Sequence, residues 1–357
     1  MIFVLKPMMI CLSRAAALWT ERSNPDSTEE HLPPETMSVL MRAVSEQLGE
    51  EVRVTDQRPS RTGCQTVWME GRRPYIVKLA LCDEAGPRLE ENAKALAALA
   101  RITAPDAPLS SVIPRTLHTG RLDRRIYSIE TRLPGGHSRE SLLMPSARDD
   151  VAAQGLQFLT RLQTLSRHDT VLDLETWNRE FRPMIDAVGA FVKPHDPAGV
   201  YDRMARRIRD GLLDQRVPLV FAHGNYWVGN LLLDPARQLT GVIDWDSAVE
   251  RGLPLVDLLY FLTRSESLIE KTSLGEAVTK WIAADLQPLT SHPMVEAYCR
   301  EFAIPTAWLR SLFYYSWIQH LNIHVRYKTA ALEKSTWLRR NLINVLAETG
   351  RWERSGG

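Results

Sequence analysis

One stretch of β-strand pattern inside an otherwise helical half of the sequence most constrains the fold. It reads VPLVFAHGNYWVGNLLLDPARQLTGVIDW at residues 217–245, and its apolar runs are separated by Gly, Asn, Asp and Pro. Short apolar runs between such residues predict strands joined by tight turns. The segments on either side have apolar residues at helical spacing instead. The sequence therefore predicts a hairpin inserted among helices, which holds a cluster of polar side chains.

The N-terminal third of the chain has a different pattern, in which strand-like runs are separated by turn residues. The runs are EVRVTD, CQTVWME, PYIVKLAL and RRIYSIETRL, and the helix former LEENAKALAALARI precedes the last of them. Residues 134–136, Pro-Gly-Gly, follow as a flexible joint. We therefore predict an α+β fold in three parts: an N-terminal extension and helix (1–49), a small β-rich lobe (50–133) and a larger, mostly helical lobe (134–357).

The charge and cysteine content restrict the possible partners. The formal net charge is only +1, which argues against a nucleic-acid partner bound mainly through its phosphates. The cysteines are Cys11, Cys64, Cys82 and Cys299. Their scattered spacing disfavours a disulfide framework and a zinc site, and it favours a reducing compartment.

The first nineteen residues are apolar but do not form a membrane segment. Lys6, Pro7 and Arg14 interrupt them, so the apolar run is too short to cross a bilayer. A basic start followed by a clean apolar stretch, as in a signal peptide, is also missing. We therefore expect a cytoplasmic protein with no membrane partner.

The order of these elements carries a resemblance to a known family. The chain has, in order, a strand with a lysine, a helix, a strand, a joint and a series of helices. The segments HGNYWVGNLLLD and GVIDWDSA then follow. Over residues 50–345 this order resembles the aminoglycoside phosphotransferase and choline kinase family, which shares the protein-kinase fold. The resemblance implies a bilobal kinase-like fold with a β-rich N-lobe and a helical C-lobe. It also implies ATP-dependent (or GTP-dependent) transfer of a phosphoryl group to a hydroxyl of a small molecule, with Mg²⁺.

The same resemblance assigns roles to individual residues. Phosphoryl transfer requires the phosphate charge to be neutralised and the groups to be held in line. The resemblance implies that Lys78 binds the nucleotide phosphates and that Asn230 and Asp244 bind Mg²⁺, which prefers oxygen ligands. Taken singly, a lysine in a strand is usually a solvated charge and an Asp at a turn is usually a cap. The further nucleotide-binding positions that it implies are Gly63, Glu91, Thr131 and Leu133.

The loop HGNYWVGN departs from the family at its central position. The family has Asp two residues after the His, where it orients the acceptor hydroxyl and takes its proton, and this chain has Asn225. An amide positions a hydroxyl but does not act as a base at neutral pH. We therefore predict a slow kinase with Asn225 and His223 at the catalytic positions, where His223 has a structural role in the loop and is hydrogen-bonded to backbone. The alternatives are a pseudokinase, a nucleotide- or peptide-binding module that acts through a partner protein, and an Asn introduced in place of a natural Asp.

A second departure concerns the acid that pairs with the strand lysine in the family. Counting along the helix LEENAKALAALARI places Asn92 at the position of that acid. A shift of one residue would place Glu91 at that position and let it pair with Lys78. The glycine loop also has few glycines, because SRTGCQTVW supplies only Gly63 for a close approach to phosphates.

The C-terminal stretch bears on the acceptor. From residue 301 onward, basic residues outnumber acidic ones, whereas an aminoglycoside is a polycation and needs an acidic pocket. We expect a small hydroxylated substrate such as a sugar or an amino alcohol. His320 and His324 have the spacing of a zinc motif, but Leu321 stands where that motif has Glu, so we do not predict zinc.

Overall fold

The computed structural model describes residues 32–59, 63–327 and 329–355. Most of the predicted N-terminal extension, with Cys11, and residues 60–62 of the predicted glycine loop lie outside the described residues. The predicted α+β class is confirmed, because an antiparallel sheet dominates the N-terminal part and helices dominate the remainder.

The N-terminal part is a five-stranded antiparallel sheet with helices packed on it. Its elements are α1 (Pro34–Leu48), β1 (Arg53–Pro59), β2 (Cys64–Glu70), β3 (Pro74–Ala80), α2 (Ala85–Ile102), α3 (Ala107–Ser111), β4 (Thr116–Leu122) and β5 (Arg125–Thr131). The strand order is β1-β2-β3-β5-β4. Helix α1 ends at Gly49 with φ 65°, a left-handed conformation that glycine adopts readily.

The register of β3 against β5 assigns their side chains to the two faces of the sheet. Val77 lies opposite Ile129, and Lys78 lies opposite Ser128. Val77 and Ile129 belong to the apolar cluster that includes residues of α1. Because side chains alternate along a strand, Lys78, Ser128 and Glu130 project from the opposite face, on the side of α2. The sheet thus presents a lysine and a glutamate next to each other on one surface.

The C-terminal part is a helical body that contains two small three-stranded sheets. Its strands are β6 (Gly136–His137), β7 (His168–Val171), β8 (Arg216–Ala222), β9 (Leu231–Leu233), β10 (Leu239–Val242) and β11 (Val249–Gly252). Its helices are α4 (Arg139–Leu143), α5 (Pro145–Ser166), α6 (Leu174–Glu180), α7 (Arg182–Val192), α8 (Val200–Leu212), α9 (Val256–Ile269), α10 (Leu274–Ala283), α11 (Gln287–Thr290), α12 (Pro293–Phe302), α13 (Leu309–Arg326), α14 (Ser335–Leu338) and α15 (Asn344–Arg354). A π-helical turn, Arg339–Ile343, joins the last two. Among the described residues, no helix combines the length and the apolarity that a bilayer crossing requires.

The predicted hairpin is divided between the two small sheets. Strands β9 and β10 pair with each other, and β6 pairs with β9. Strand β8 instead lies between β7 and β11 in the other sheet. The loop of residues 223–230 connects the two sheets and carries the polar cluster. Its position is therefore fixed from both ends.

An aromatic core supports this loop from below. Tyr226 and Trp245 are completely buried, and the ring of Phe158 packs near both of them. The first eight residues of α9 are also all buried. The loop therefore rests on packed side chains, which move little because protein interiors are close-packed.

Candidate functional site

A cavity of about 1290 Å³ lies between the N-terminal sheet and the C-terminal body. Five of the predicted site residues line it, namely Lys78, Thr131, Leu133, Asn225 and Asp244. They come from β3, from β5 and the residues after it, from the loop at 223–230 and from the turn after β10. The fold therefore brings residues far apart in sequence to one cleft.

A buried carboxylate on α9 holds the loop at 223–230 in place. Asp257 is 1% exposed and accepts hydrogen bonds from the N–H of His223 at 2.7 Å and of Gly224 at 3.0 Å. Burial raises the pKa of Asp257 to about 6, while these two N–H donors act in the opposite direction, so the carboxylate is ionised at neutral pH. Gly224 has φ 80° and lies so close to the carbonyl oxygen of Ser247 that a Cβ would collide with it. Only glycine fits at that position.

The side chain of His223 lies beneath the loop and does not line the cavity. Its Nε2 lies 3.0 Å from the carbonyl oxygen of Ile243, and its Nδ1 accepts from the N–H of Asn225 at 3.3 Å. These partners assign the neutral tautomer with the proton on Nε2. Burial lowers its pKa to about 4, and its ring stacks near that of Trp245 at 4.3 Å. The side chain is completely buried and bonded to backbone groups, as expected of a structural role within the loop.

Asn225 and Asn230 lie at the two ends of this loop and are joined by a hydrogen bond. The Nδ2 of Asn230 donates to the carbonyl oxygen of Asn225 at 3.0 Å. This bond uses the Nδ2 of Asn230 and not its Oδ1; the side chain is buried, and Asn230 is not among the residues that line the cavity. The backbone of Asn230 is fixed as well, since its carbonyl accepts from the N–H of Ile243.

Asp244 follows β10 and reaches into the cavity. Its φ is 67°, a left-handed value that Asp tolerates better than most residues. The carboxylate is about half exposed and lies 3.9 Å from the Nζ of Lys78. Within the described ranges, no group of three or more His, Cys, Asp or Glu side chains is arranged to hold a metal ion. Mg²⁺ in phosphate chemistry needs fewer protein ligands, because phosphates and waters supply the others, so one carboxylate with an amide oxygen fits that ion.

Lys78 is paired with an acid that the sequence motifs did not identify. Its Nζ lies 3.3 Å from the Oε1 of Glu130 on β5. Burial lowers the pKa of Lys78, but the nearby carboxylates, Glu130 first, more than offset this and raise the pKa above its ordinary value. Glu91 instead forms an ion pair with Arg326 on α13. Glu91 is therefore not the partner of Lys78, because its side chain leaves α2 in the direction of the C-terminal helices.

Glu130 could have been noticed as the one charged residue in the apolar run IYSIE of the last N-terminal strand. A carboxylate within such a run is rarely buried without a partner. The sequence alone does not say which basic side chain meets it. The pairing depends on the register of β3 against β5, which joins residues 52 positions apart along the chain.

Two other predicted nucleotide-binding positions differ from expectation in detail. Gly63 has φ 76° and lies against Cys82, where a Cβ would clash with the sulfur, so its close contact is with the protein and it does not line the cavity. Thr131 lines the cavity, but its N–H donates to the carbonyl of Arg115 and its Oγ1 accepts from the N–H of Arg115. Leu133 lines the cavity as expected.

Asp246 is held by an ion pair with Arg88 of α2. The Arg88 guanidinium also lies 3.9 Å from the ring centre of Tyr327, whose hydroxyl donates to the carbonyl of Asp246. All three side chains line the rear of the cavity. Asp246 thus connects α2 to the C-terminal part, and this contact also leaves Asp244 as the more accessible of the two acids.

The C-terminal side of the cavity is formed by aromatic, imidazole and amine groups. Trp227 of the loop, His137 of β6 and His324 of α13 line it, together with Lys334. The guanidinium of Arg264 lies 5.1 Å from the centre of the Trp227 ring.

Folding stability should rise between pH 4 and 6.5 because of His324. Burial, with the charge of Arg264, lowers the pKa of His324 from 6.5 to about 4. Between these values the unfolded chain binds the proton and the folded chain does not, so acidification costs up to about 3 kcal/mol from this residue. Denaturant unfolding of the wild type and His324→Gln across this range measures the effect. An equal pH dependence of the unfolding free energy in the two proteins would contradict this prediction. The raised pKa of Asp257 makes stability fall as the pH rises, but this contribution is the same in both proteins.

Solved structures with a similar fold are kinases of small molecules by their descriptions. A proposed fructosamine-3-kinase of Thermobifida fusca YX-ER1 is 16% identical, with 87% of this chain and 98% of that chain covered and a TM-score of 0.50. A proposed fructosamine-3-kinase of Haemophilus somnus 129PT is 14% identical, with coverage of 88% and 97% and a TM-score of 0.50. At these identities the likeness establishes the fold, which is the bilobal protein-kinase-like fold predicted from the sequence.

The family follows from a direct match of the sequence. The model of the phosphotransferase enzyme family matches residues 63–291, more than half of the 357-residue chain. The chain belongs to the phosphotransferase enzyme family, and the resemblance read from its motifs is confirmed. No curated protein matches it.

Proposed function

We propose that this protein transfers a phosphoryl group from ATP to a hydroxyl group of a small molecule, at a rate limited by Asn225. The observation that carries the proposal is the meeting of Lys78, Asp244 and Asn225 in one cavity, in a chain of the phosphotransferase enzyme family. GTP would meet the same phosphate-binding groups.

Each residue has a distinct task in the proposed reaction. Lys78 binds phosphate oxygens with its charged amine, and Leu133 borders the nucleotide. Asp244, with the side-chain oxygen of Asn230, would hold Mg²⁺, which would supply positive charge to the phosphates. Asn225 accepts or donates a hydrogen bond and so orients the acceptor hydroxyl. Its amide does not remove the proton of that hydroxyl, which must leave to water or to the phosphate itself.

The proposed acceptor is a neutral or anionic compound with hydroxyl groups, such as a sugar, with an amino alcohol as a further candidate. Residues 323–334 contribute to the cavity Ile323, His324, Tyr327, Thr329, Ala331 and Lys334. None of these cavity-lining residues is acidic. Trp227 offers a flat apolar surface of the kind on which a sugar ring packs. An aminoglycoside would meet no carboxylate on this wall, which supports the choice.

A pseudokinase is the second candidate, and Asn225 is the observation that favours it. Such a protein would bind a nucleotide or a peptide and act through a protein partner, without transfer. The described cysteines, Cys64, Cys82 and Cys299, are free thiols, which supports a cytoplasmic location for either candidate.

Binding of Mg²⁺ and ATP tests the proposed site directly. We expect ATP with Mg²⁺ to raise the melting temperature of the wild type, because a ligand at a hundredfold excess over its Kd stabilises by about 2.7 kcal/mol. The shift should be lost in Lys78→Met and reduced in Asp244→Asn. Lys280→Met is the matched control, since Lys280 pairs with Glu266 and Glu270 on the surface, and it should keep the full shift.

The transfer itself is measured with γ-labelled ATP and a panel of sugars and amino alcohols. Labelled product from the wild type supports the kinase. A full thermal shift with no product, from the wild type and from Asn225→Asp alike, favours the pseudokinase. If ATP stabilises none of the proteins, the kinase and the nucleotide-binding pseudokinase both fail, and only a peptide-binding module remains.

A further inference from the structure

The pair of Lys78 and Glu130 is buried at the back of the cavity. The side chain of Lys78 is 16% exposed and that of Glu130 is 5% exposed. An acid at such a site costs several kcal/mol to desolvate unless it is paired and hydrogen-bonded. Glu130 meets both conditions, because its Oε1 also accepts from the Nδ2 of Asn92 at 2.9 Å and from the hydroxyl of Ser128 at 3.3 Å.

Asn92 connects this pair to the turn that carries Asp244. While its Nδ2 donates to Glu130, its Oδ1 accepts from the backbone N–H of Trp245 at 3.0 Å. Trp245 is the residue directly after Asp244. A continuous line of contacts therefore runs from Lys78 through Glu130 and Asn92 to the Asp244 turn, and it joins β3, β5, α2 and that turn.

The residue types at positions 92 and 130 are complementary. An amide donates with one end and accepts with the other, so Asn92 satisfies the carboxylate and the Trp245 N–H at once. A Glu at position 92 could not donate to Glu130, and it would bring a second negative charge to a buried place. The amide on the helix is therefore what the acid on the strand requires.

We propose that Glu130 is the positioning residue for Lys78, that it holds the amine directed into the cavity, and that Asn92 ties this pair to the Asp244 turn. The acid that pairs with the strand lysine thus lies on strand β5 in this chain, whereas the resemblance to the family places it on the helix. The use of Lys78 on phosphates rests on the proposed function, but the pairing itself does not. The ion pair that Asn92 cannot form with Lys78 is therefore still present, with Glu130 of β5 as its acid.

The first experiment follows the surroundings of the Lys78 amine at one fixed pH and needs no nucleotide. Lysines are ¹³C-methylated, and the Lys78 signal is assigned with Lys78→Arg. In the wild type we expect slow acylation of Lys78, because its amine is buried against Glu130. In Glu130→Gln the Lys78 signal should shift and the rate of acylation should rise, because the amine is no longer held in place. Glu70→Gln, which removes an acid of the neighbouring strand β2 that pairs with Arg53, should leave both quantities unchanged.

The second experiment moves the charge back to the helix. In the double variant Asn92→Glu with Glu130→Gln, the glutamine at 130 supplies the donor and the glutamate at 92 supplies the charge. We expect this exchange to restore the slow acylation of Lys78. For ATP with Mg²⁺, Glu130→Gln should weaken binding roughly 10- to 100-fold, the size of one lost hydrogen bond to a charged group, and the exchange should recover most of it.

The outcomes separate this proposal from the proposed function. If Glu130→Gln leaves the signal and the acylation of Lys78 unchanged, the proposal is wrong whatever ATP does. If Glu130→Gln does not fold, the wild type decides, and acylation of Lys78 as fast as that of the exposed Lys280 overturns the proposal. If Lys78 responds as expected but the wild type does not bind ATP, the pairing stands and the proposed function fails.

Discussion

Asn225→Asp should raise the rate of phosphoryl transfer by about 10²- to 10⁴-fold, the usual contribution of a general base. The rest of the site is in place around position 225, with Lys78 and Asp244 in the same cavity. A carboxylate accepts the proton of the acceptor hydroxyl as the bond to phosphorus forms, and an amide does not. Asp and Asn have nearly the same shape, so the exchange changes the chemistry and little else.

The increase should appear in kcat and not in nucleotide binding. The backbone at position 225 is fixed by the bond from its N–H to His223 and by the bond from Asn230 to its carbonyl, and both bonds are independent of the side chain. Thermal shifts with ATP and Mg²⁺ should therefore be alike in wild type, Asn225→Asp and Asn225→Ala. Asn225→Ala is the matched control and should be slower than the wild type, because it removes the positioning of the hydroxyl as well.

Two results would contradict this expectation. Equal, measurable turnover of wild type and Asn225→Asp would mean that the missing base does not limit the rate, whereas no turnover in either, with ATP bound to both, would favour the pseudokinase. A higher rate in Asn225→Ala than in the wild type would mean that the amide obstructs the acceptor.

Asp257→Ala should lower the free energy of unfolding by roughly 2 to 6 kcal/mol and abolish turnover. The substitution leaves the N–H groups of His223 and Gly224 buried without their acceptor, and each unsatisfied group costs about 1–3 kcal/mol. The loop at 223–230 then loses its anchor, so that Asn225 and Asn230 are no longer held. Denaturant unfolding followed by tryptophan fluorescence measures the stability.

The control for this experiment is an acid of the same type in an exposed ion pair. Asp186 pairs with Arg182 one turn away on α7, and such pairs contribute only about 0.3–0.5 kcal/mol. Asp186→Ala should therefore be close to wild type in stability and in turnover. Asp257→Asn should fall between, because its carboxamide keeps one acceptor oxygen but turns an NH₂ toward a backbone donor. A loss below 1 kcal/mol in Asp257→Ala would show that the anchor is unimportant.

The sequence predicted the parts of the site that depend on local pattern. Asn225, Asn230 and Asp244 lie within one short segment, and the strand lysine follows from a strand pattern that is easily recognised. The structure brings Lys78, Asn225 and Asp244 to the same cavity. The α+β class followed from the change of periodicity at residues 134–136.

The parts that were missed depend on contacts between distant segments. Glu130 meets Lys78 only because β5 lies beside β3 in a register that no local pattern encodes. Arg88 meets Asp246 across 158 positions of sequence. The division of the predicted hairpin has the same cause, since β8 pairs with β7 and β11, and strand pairing is set by the whole fold.

The anchoring of the loop by Asp257 also bears on how this site can evolve. Because the buried core sets the backbone at position 225, the scaffold does not depend on which side chain stands there, and selection for folding alone would preserve the geometry. Codons for Asn and Asp differ by a single base. If Asn225 limits the rate as proposed, the carboxylate is one point mutation away in a pocket that already holds it in place, and a faster enzyme would arise in one step.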